Sequence, residues 1–165
     1  MLQRRLLLAL APVAVLAACG FELRKAPKFV FTSLFVGAPN SPVGNELKRY
    51  LASVGSVQVV NDPKQINTAQ VILDVLQEQR EKVVVGMNSA GQVTEFQLRL
   101  RFRFRLRTPQ GKELIPDTEI LLQRDISFSE SAVLSKEAEE GLLYRDMQSD
   151  LVQQLMRRLA AVKEL

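Results

Sequence analysis

From Gln92 to Arg107 runs the clearest period-two stretch in the chain. Phe96, Leu98, Leu100, Phe102, Phe104 and Leu106 hold one set of positions, and Gln97, Arg99, Arg101, Arg103, Arg105 and Arg107 hold the other. A helix would scatter these two sets around its circumference, whereas neighbouring side chains on a strand point to opposite faces. The stretch therefore predicts a long β-strand with one apolar and one cationic face. Such a strand needs ladder partners at its edges and a second layer over its apolar face. The flanking segments supply the partners. Ala69 to Val85 places Val71, Leu73 and Val75 on one face with Asp74 on the other, and closes at the turn sequence Asn88-Ser89-Ala90-Gly91. Beyond Thr108-Pro109-Gln110-Gly111, a third extended stretch runs from Leu114 to Phe128, interrupted near its start by Pro116. Together the three predict a meander.

The covering layer is legible as two helices. Ser41-Pro42 reads as an N-cap followed by proline at the first helical position, where the missing N–H costs nothing. Val43, Leu47, Tyr50, Leu51 and Val54 then share a helical face, and Gly55 is the expected stop. The segment from about Ser131 to Val162 contains no proline. It carries Met147, Leu151, Val152, Leu155, Leu159 and Val162 within one arc, opposite Asp146, Ser149, Asp150, Gln153 and Arg157. Ahead of the first helix, Phe29 to Val36 reads as a strand running into Gly37-Ala38-Pro39-Asn40. After it, Val57 to Val60 is a short extended piece leading to the loop Asn61-Asp62-Pro63. The expected fold is an α+β two-layer sandwich: a mostly antiparallel sheet of about four strands, two helices on one face, and a polar, arginine-rich opposite face.

The N-terminus has a different character. Arg4 and Arg5 precede the apolar run Leu6 to Leu16, which is shorter than the roughly 20 residues of a membrane-spanning helix, and Leu16-Ala17-Ala18 leads directly to Cys19. This is the layout of a secretory leader ending in a bacterial lipobox. It predicts residues 1–18 as a lipoprotein signal peptide cleaved before Cys19, residues 19–27 as a tether, and residues 28–165 as a single domain. Cys19 would carry an S-diacylglycerol and an N-acyl chain, and chains of that length hold a protein at a membrane. Gly20, where an aspartate would favour the inner membrane, points to outer-membrane delivery. Loss of Arg4 and Arg5 with the leader lowers the formal charge from +4 to about +2.

Several chemistries are excluded by what the chain lacks. It contains no histidine and a single cysteine, so Ser-His-Asp and Cys-His catalysis, histidine-bearing zinc sites and an internal disulfide cannot be assembled from it alone. No Gly-rich phosphate loop or nucleophile elbow is present, and no spacing singles out a pair of carboxylates. The chain is read as a non-enzyme without cofactors beyond the lipid on Cys19. Two readings of the arginine row remain open. Guanidinium groups at every second position from Arg99 to Arg107 suit phosphorylated sugars or a polar partner wall. Equally, they suit cross-strand pairing with Asp74, Glu78, Glu119 or Asp125 on a solvated face. Nucleic acid is not expected, because no aromatic residue interleaves with the arginines to stack on bases. Lys136, in the first turns of the last helix, reads on physical grounds as a surface lysine.

Three segments taken together resemble the LptE family of lipopolysaccharide-assembly lipoproteins: Leu16 to Arg24, with its Cys19-Gly20-Phe21-Glu22-Leu23-Arg24 opening; Ala90 to Gln97; and Leu134-Ser135-Lys136-Glu137. The resemblance implies a monomer that plugs the lumen of the outer-membrane barrel LptD one to one, helps it assemble, and binds lipopolysaccharide. The protein would be lipid-anchored, periplasm-facing and partly inside the barrel. It also implies a lipopolysaccharide-binding role for Lys136 and for a basic residue in the hairpin, a position held by Ser89 here. Arg99 or Arg101 is the candidate to compensate, and Arg103 stands beside them as a further candidate for the same ligand. A free-standing lipid-binding or carrier lipoprotein is the alternative.

Overall fold

The computed structural model describes residues 27–38 and 40–165, so the leader, Cys19 and nearly all of the tether lie outside the described residues. Along the chain come β1 (Ser33–Gly37), α1 (Pro42–Val54), β2 (Gln58–Val60), a 3-10 segment (Pro63–Thr68), β3 (Val71–Met87), β4 (Val93–Arg107), β5 (Glu113–Ser127), a short 3-10 turn (Glu130–Ala132) and α2 (Val133–Ala160). The strands form one sheet in the order β2-β1-β3-β4-β5. The β3-β4-β5 meander is antiparallel as the turn sequences require, with Gly91 (φ 78°) and Gly111 (φ 94°) taking the left-handed turn positions. In contrast, β1 runs parallel to both β2 and β3. The sheet thus has five strands and is mixed, because the short piece after α1 docks beside β1 as a crossover unit.

Local chemistry sets the helix ends. Ser41 Oγ accepts from the Gly44 N–H at 2.8 Å at the start of α1, and Gly55 (φ 72°) ends it with its N–H on the Leu51 carbonyl. Both helices cover the apolar face of β4, where Leu98, Leu100, Phe102, Phe104 and Leu106 are all fully buried against Leu47 and Leu51 of α1 and Met147, Leu151, Leu155 and Leu159 of α2. Each such burial contributes about 1.5–3 kcal/mol. Tyr50 is exposed, since the buried arc of α1 runs instead through Gly44.

Two features depart from simple alternation. The pairing of β3 with β4 shifts register between Val75 and Gln77, leaving Leu76 as an extra, exposed residue. That bulge inverts the facing of β3 as far as Val84, beyond which a second register shift precedes Gly86. Glu78 therefore faces the helices, where it takes the Ser41 hydroxyl and, at 3.2 Å, the Val43 N–H. A register shift in β4–β5 likewise falls at Pro116, which has no N–H to give a ladder. The arginine side of the sheet is not polar throughout: where β2, β1 and β3 meet, Phe35, Val60, Ala69 and Ile72 form a small second core, with Ile66 of the 3-10 segment packed on it.

The two ends of the sheet are distinct. The β4–β5 turn lies by the chain's C-terminus, where Lys112 Nζ reaches the Leu165 carbonyl at 2.8 Å, and β1 begins at the same end. The β3–β4 hairpin lies at the other end, beside the approach to α2, where the Phe128 N–H meets the Thr94 carbonyl. At about 3.3 Å per residue the 17 residues of β3 separate these ends by about 50 Å. The halves of α2 also differ, because all of its buried side chains lie from Tyr144 onward.

Candidate functional site

Most of the arginine row is neutralised by carboxylates on the adjacent strands. Arg105 and Arg107 both donate through Nε to Asp74 Oδ2, at 2.8 and 2.7 Å. Arg101 bridges Glu81 on β3 (3.4 Å) and Glu119 on β5 (2.7 Å), and Arg103 pairs with Asp117. Arg99 differs. Its Nε donates to Gln97 Oε1 at 2.8 Å, and it has no carboxylate partner among the described residues. Partial burial pushes the Asp74 carboxyl up, but hydrogen bonds from Arg107 and Arg105, reinforced by their charges, hold it below the ordinary aspartate range. Arg101, Arg103 and Arg105 are held above the usual guanidinium value, chiefly by their hydrogen bonds to Glu119, Asp117 and Asp74. Of the acids expected to pair, Asp74 and Glu119 do so, Asp125 accepts from Gln97 instead, and Glu78 is turned away by the bulge.

Lys136 stands on the helix side of the sheet, away from Arg99, Arg101 and Arg103. Its Nζ donates to Ser127 Oγ and to Glu139 Oε2, both at 2.9 Å. The cation beside it is Lys82 of β3, which pairs with Glu140 at 2.7 Å and lies 4.5 Å from the Phe96 ring centre. Lys82 and Lys136 border one cavity floored by Phe96, Ile126, Phe128 and Val133. Further along, the Arg80 guanidinium covers the Tyr144 ring at 5.0 Å, and the Tyr144 hydroxyl donates to the Glu81 carbonyl at 2.7 Å. Burial, then the nearby Glu140 charge, pushes the Tyr144 phenol up.

Ser89 sits exposed in the hairpin turn, which is fixed by Asn88: its Oδ1 accepts from the N–H groups of Ala90 (2.9 Å) and Gln92 (3.0 Å). One concave surface joins Asn88 and Gln92 to Phe128, Ser129, Glu130 and Ser131, so the hairpin carrying Ser89 shares an end of the molecule with the start of α2. The structure thus gathers Lys136, Lys82 and the Ser89 hairpin, and leaves the arginine row on the opposite face. Sequence reasoning missed Lys82 because the bulge at Leu76 reverses which residues of β3 face the helices.

The fold has solved counterparts. An uncharacterised lipoprotein B from Nitrosomonas europaea, solved in solution, has a TM-score of 0.73 with 33% identity, covering 86% of this chain and 91% of that one. A minor lipoprotein from Acinetobacter baumannii gives 0.64 with 26% identity, covering 81% and 94%. The fold is thus one that solved bacterial lipoproteins share, and among the described residues no helix is long and apolar enough to cross a membrane. The family model for lipopolysaccharide-assembly LptE matches residues 31–159, and the LPS-assembly lipoprotein LptE of Yersinia enterocolitica is 28% identical over 167 residues, covering 98% of this chain and 78% of the relative. The chain belongs to the LptE family, which gives it a role in lipopolysaccharide assembly. No enzymatic activity is indicated by that membership.

Proposed function

We propose that this lipoprotein is anchored to the outer membrane by an N-acyl chain and S-diacylglycerol on Cys19, plugs the lumen of an LptD-type barrel one to one, assists its assembly, and binds lipopolysaccharide through a site that includes Lys136. The observation that carries the plug reading is the arginine face. It is a long hydrophilic sheet surface whose charges are largely matched, suited to lie along the polar interior wall of a large barrel without leaving unpaired charge between the two. The 50 Å sheet also suits a lumen crossing a bilayer of about 40–45 Å. A free-standing carrier needs a chain-sized apolar cavity between sheet and helices, and the side chains of that interface, Phe102, Phe104, Met147 and Leu155 among them, are closely buried on one another.

Affinity purification of the acylated chain from detergent-solubilised outer membranes is expected to recover a barrel in roughly equal amount. Repeated recovery without one overturns the plug. Lys136→Asp is expected to weaken lipopolysaccharide binding without shifting the unfolding midpoint, because among the described residues Lys136 bonds only to Ser127 and a surface carboxylate; unchanged binding removes Lys136 from the site.

A further inference from the structure

We propose that the end of the molecule opposite the β3–β4 hairpin is a cationic docking surface for the anionic phospholipid headgroups of the membrane leaflet that holds Cys19. This deepens, and rests on, the reading that Cys19 is the anchor. It adds a second, electrostatic hold that sets how the domain stands on the membrane.

Four separate stretches of chain build this end. The Thr32 N–H meets Gln70 Oε1 at 2.7 Å, which brings the run-in to β1 beside the 3-10 segment. One open surface joins Asn67, Thr68 and Gln70 to Thr108, Gln110 and Lys112 of the β4–β5 turn and to Leu165, a few residues past the last turn of α2. These stretches carry Lys28, Lys64, Lys112, Arg157, Arg158 and Lys163 against Asp62, Glu113 and Glu164, six cationic side chains to three acidic ones and a net of +3. No aspartate or glutamate among the described residues pairs with any of the six; Lys112 donates to the Leu165 carbonyl. The hairpin end has the opposite balance. There Lys82 and Lys136 are bound by Glu140 and Glu139, and Glu95, Glu130 and Glu137 add further carboxylates, two cations to five acids and a net of −3. The molecule is polarised along its long axis.

How the charge is spread decides the partner. A single phosphate is held by donors converging on one pocket, whereas here the cations are dispersed, and among the residues lining the open surface Lys112 alone is charged. A leaflet presents many headgroups at once. Each basic side chain that comes within a Debye length of it, about 10 Å at 0.1 M salt, strengthens binding by about fivefold. Long stems let lysine and arginine bring their charges to that surface without moving the backbone. The tether keeps this end within reach: eight residue steps from Cys19 to Pro27 span at most about 28 Å when fully extended. A tether alone leaves the domain free to tilt. Attraction at one end and repulsion of the acidic hairpin end select the upright orientation, with the strands along the membrane normal, as entry into a barrel lumen requires.

The test uses vesicles of phosphatidylcholine alone and vesicles with about 30% phosphatidylglycerol, a headgroup charge of the kind that attracts basic segments. The acylated chain is expected to float with both. In the anionic vesicles at about 0.1 M salt, Lys64, Lys112 and Lys163 should become about fivefold less reactive toward an amine reagent, read by mass spectrometry, while Lys136 stays unchanged; about 1 M salt should abolish the protection. The unacylated Cys19→Ser chain is expected to bind the anionic vesicles about tenfold more tightly than the neutral ones. Replacing Lys64, Lys112 and Lys163 together by glutamine should remove most of that ratio, and Lys82→Gln with Lys136→Gln should leave it in place. The three lysines are exposed, so the triple variant is expected to keep its unfolding midpoint. Equal lysine reactivity in the two vesicles, a ratio near one for the unacylated chain, or an undiminished ratio in the triple variant would overturn the docking surface while leaving the anchor intact. Failure of the acylated chain to float with neutral vesicles would instead overturn the anchor, and the docking surface with it.

Discussion

The two faces of β4 are built from the same 15 residues of sequence and obey different physics. On the helix face, Leu98 to Leu106 are wholly buried, and their contribution depends on how much surface leaves water. On the opposite face, Arg101 to Arg107 remain in contact with solvent and are fixed by individual carboxylates on β3 and β5. The first face determines that the chain folds and in which register. The second is close to electrically closed, and only Arg99 breaks the pattern. A row that reads as a polycationic binding strip in one dimension is, once neighbouring strands are in place, mostly a ladder of internal pairs.

This contrast is broken most severely from the buried side. Phe102→Ala removes a ring at the centre of the core, in contact with Phe104 at 5.9 Å between centroids, and is expected to destabilise the domain by about 3–5 kcal/mol in urea unfolding. A loss under 1 kcal/mol would mean that the helices do not seal that face. On the arginine face the most disruptive single change is Asp74→Asn, because one carboxylate holds two guanidinium groups. Asp74 keeps 20% of its side-chain surface exposed and its arginine partners reach solvent, so the scale of partly exposed pairs applies and the expected loss is about 1 kcal/mol. A cost as large as that of Phe102→Ala would contradict the division between the faces.

Next in size is a comparison within the row. Arg101→Gln leaves Glu81 and Glu119 without their shared cation and should lower the unfolding midpoint slightly. Arg99→Gln removes no ion pair and should leave it unmoved. If the plug reading holds, their order reverses for barrel recovery, with Arg99→Gln the more damaging, since its charge is the one left to meet a partner. Equal recovery for both variants would assign Arg99 no such role.

The buried face was legible in the sequence because period-two patterning is a local signal, and so were the caps Ser41 and Gly55, the turns at Gly91 and Gly111, and the apolar arc of α2. What the chain could not disclose was non-local. The parallel docking of Gln58–Val60 beside β1 depends on a crossover that three residues do not announce. The bulge at Leu76 has no sequence mark of its own, yet it sends Glu78 to the cap of α1 and brings Lys82 beside Lys136. Alternation read straight through that point misassigns the residues of β3 from Gln77 to Val84. For the candidate site, the residues Lys136 and Ser89 were nominated by resemblance, and their grouping with Lys82 required the fold.

The gentlest probe of the two faces is pH. Asp74 titrates below its unfolded value, so its contribution is complete above about pH 4, where the unfolded carboxyl is also charged, and declines as pH falls through the folded value. Protonation then releases Arg105 and Arg107 from their common partner. Urea midpoints followed from pH 7 downward should therefore show a difference between the unsubstituted chain and Asp74→Asn that is constant to about pH 4 and narrows below it. Phe102→Leu, a change on the buried face to a side chain that carries no charge of its own, should instead lie parallel to the unsubstituted chain over the whole range. Narrowing that begins above pH 5, or a Phe102→Leu curve that converges in acid, would show that the two faces are energetically coupled through β4 rather than independent.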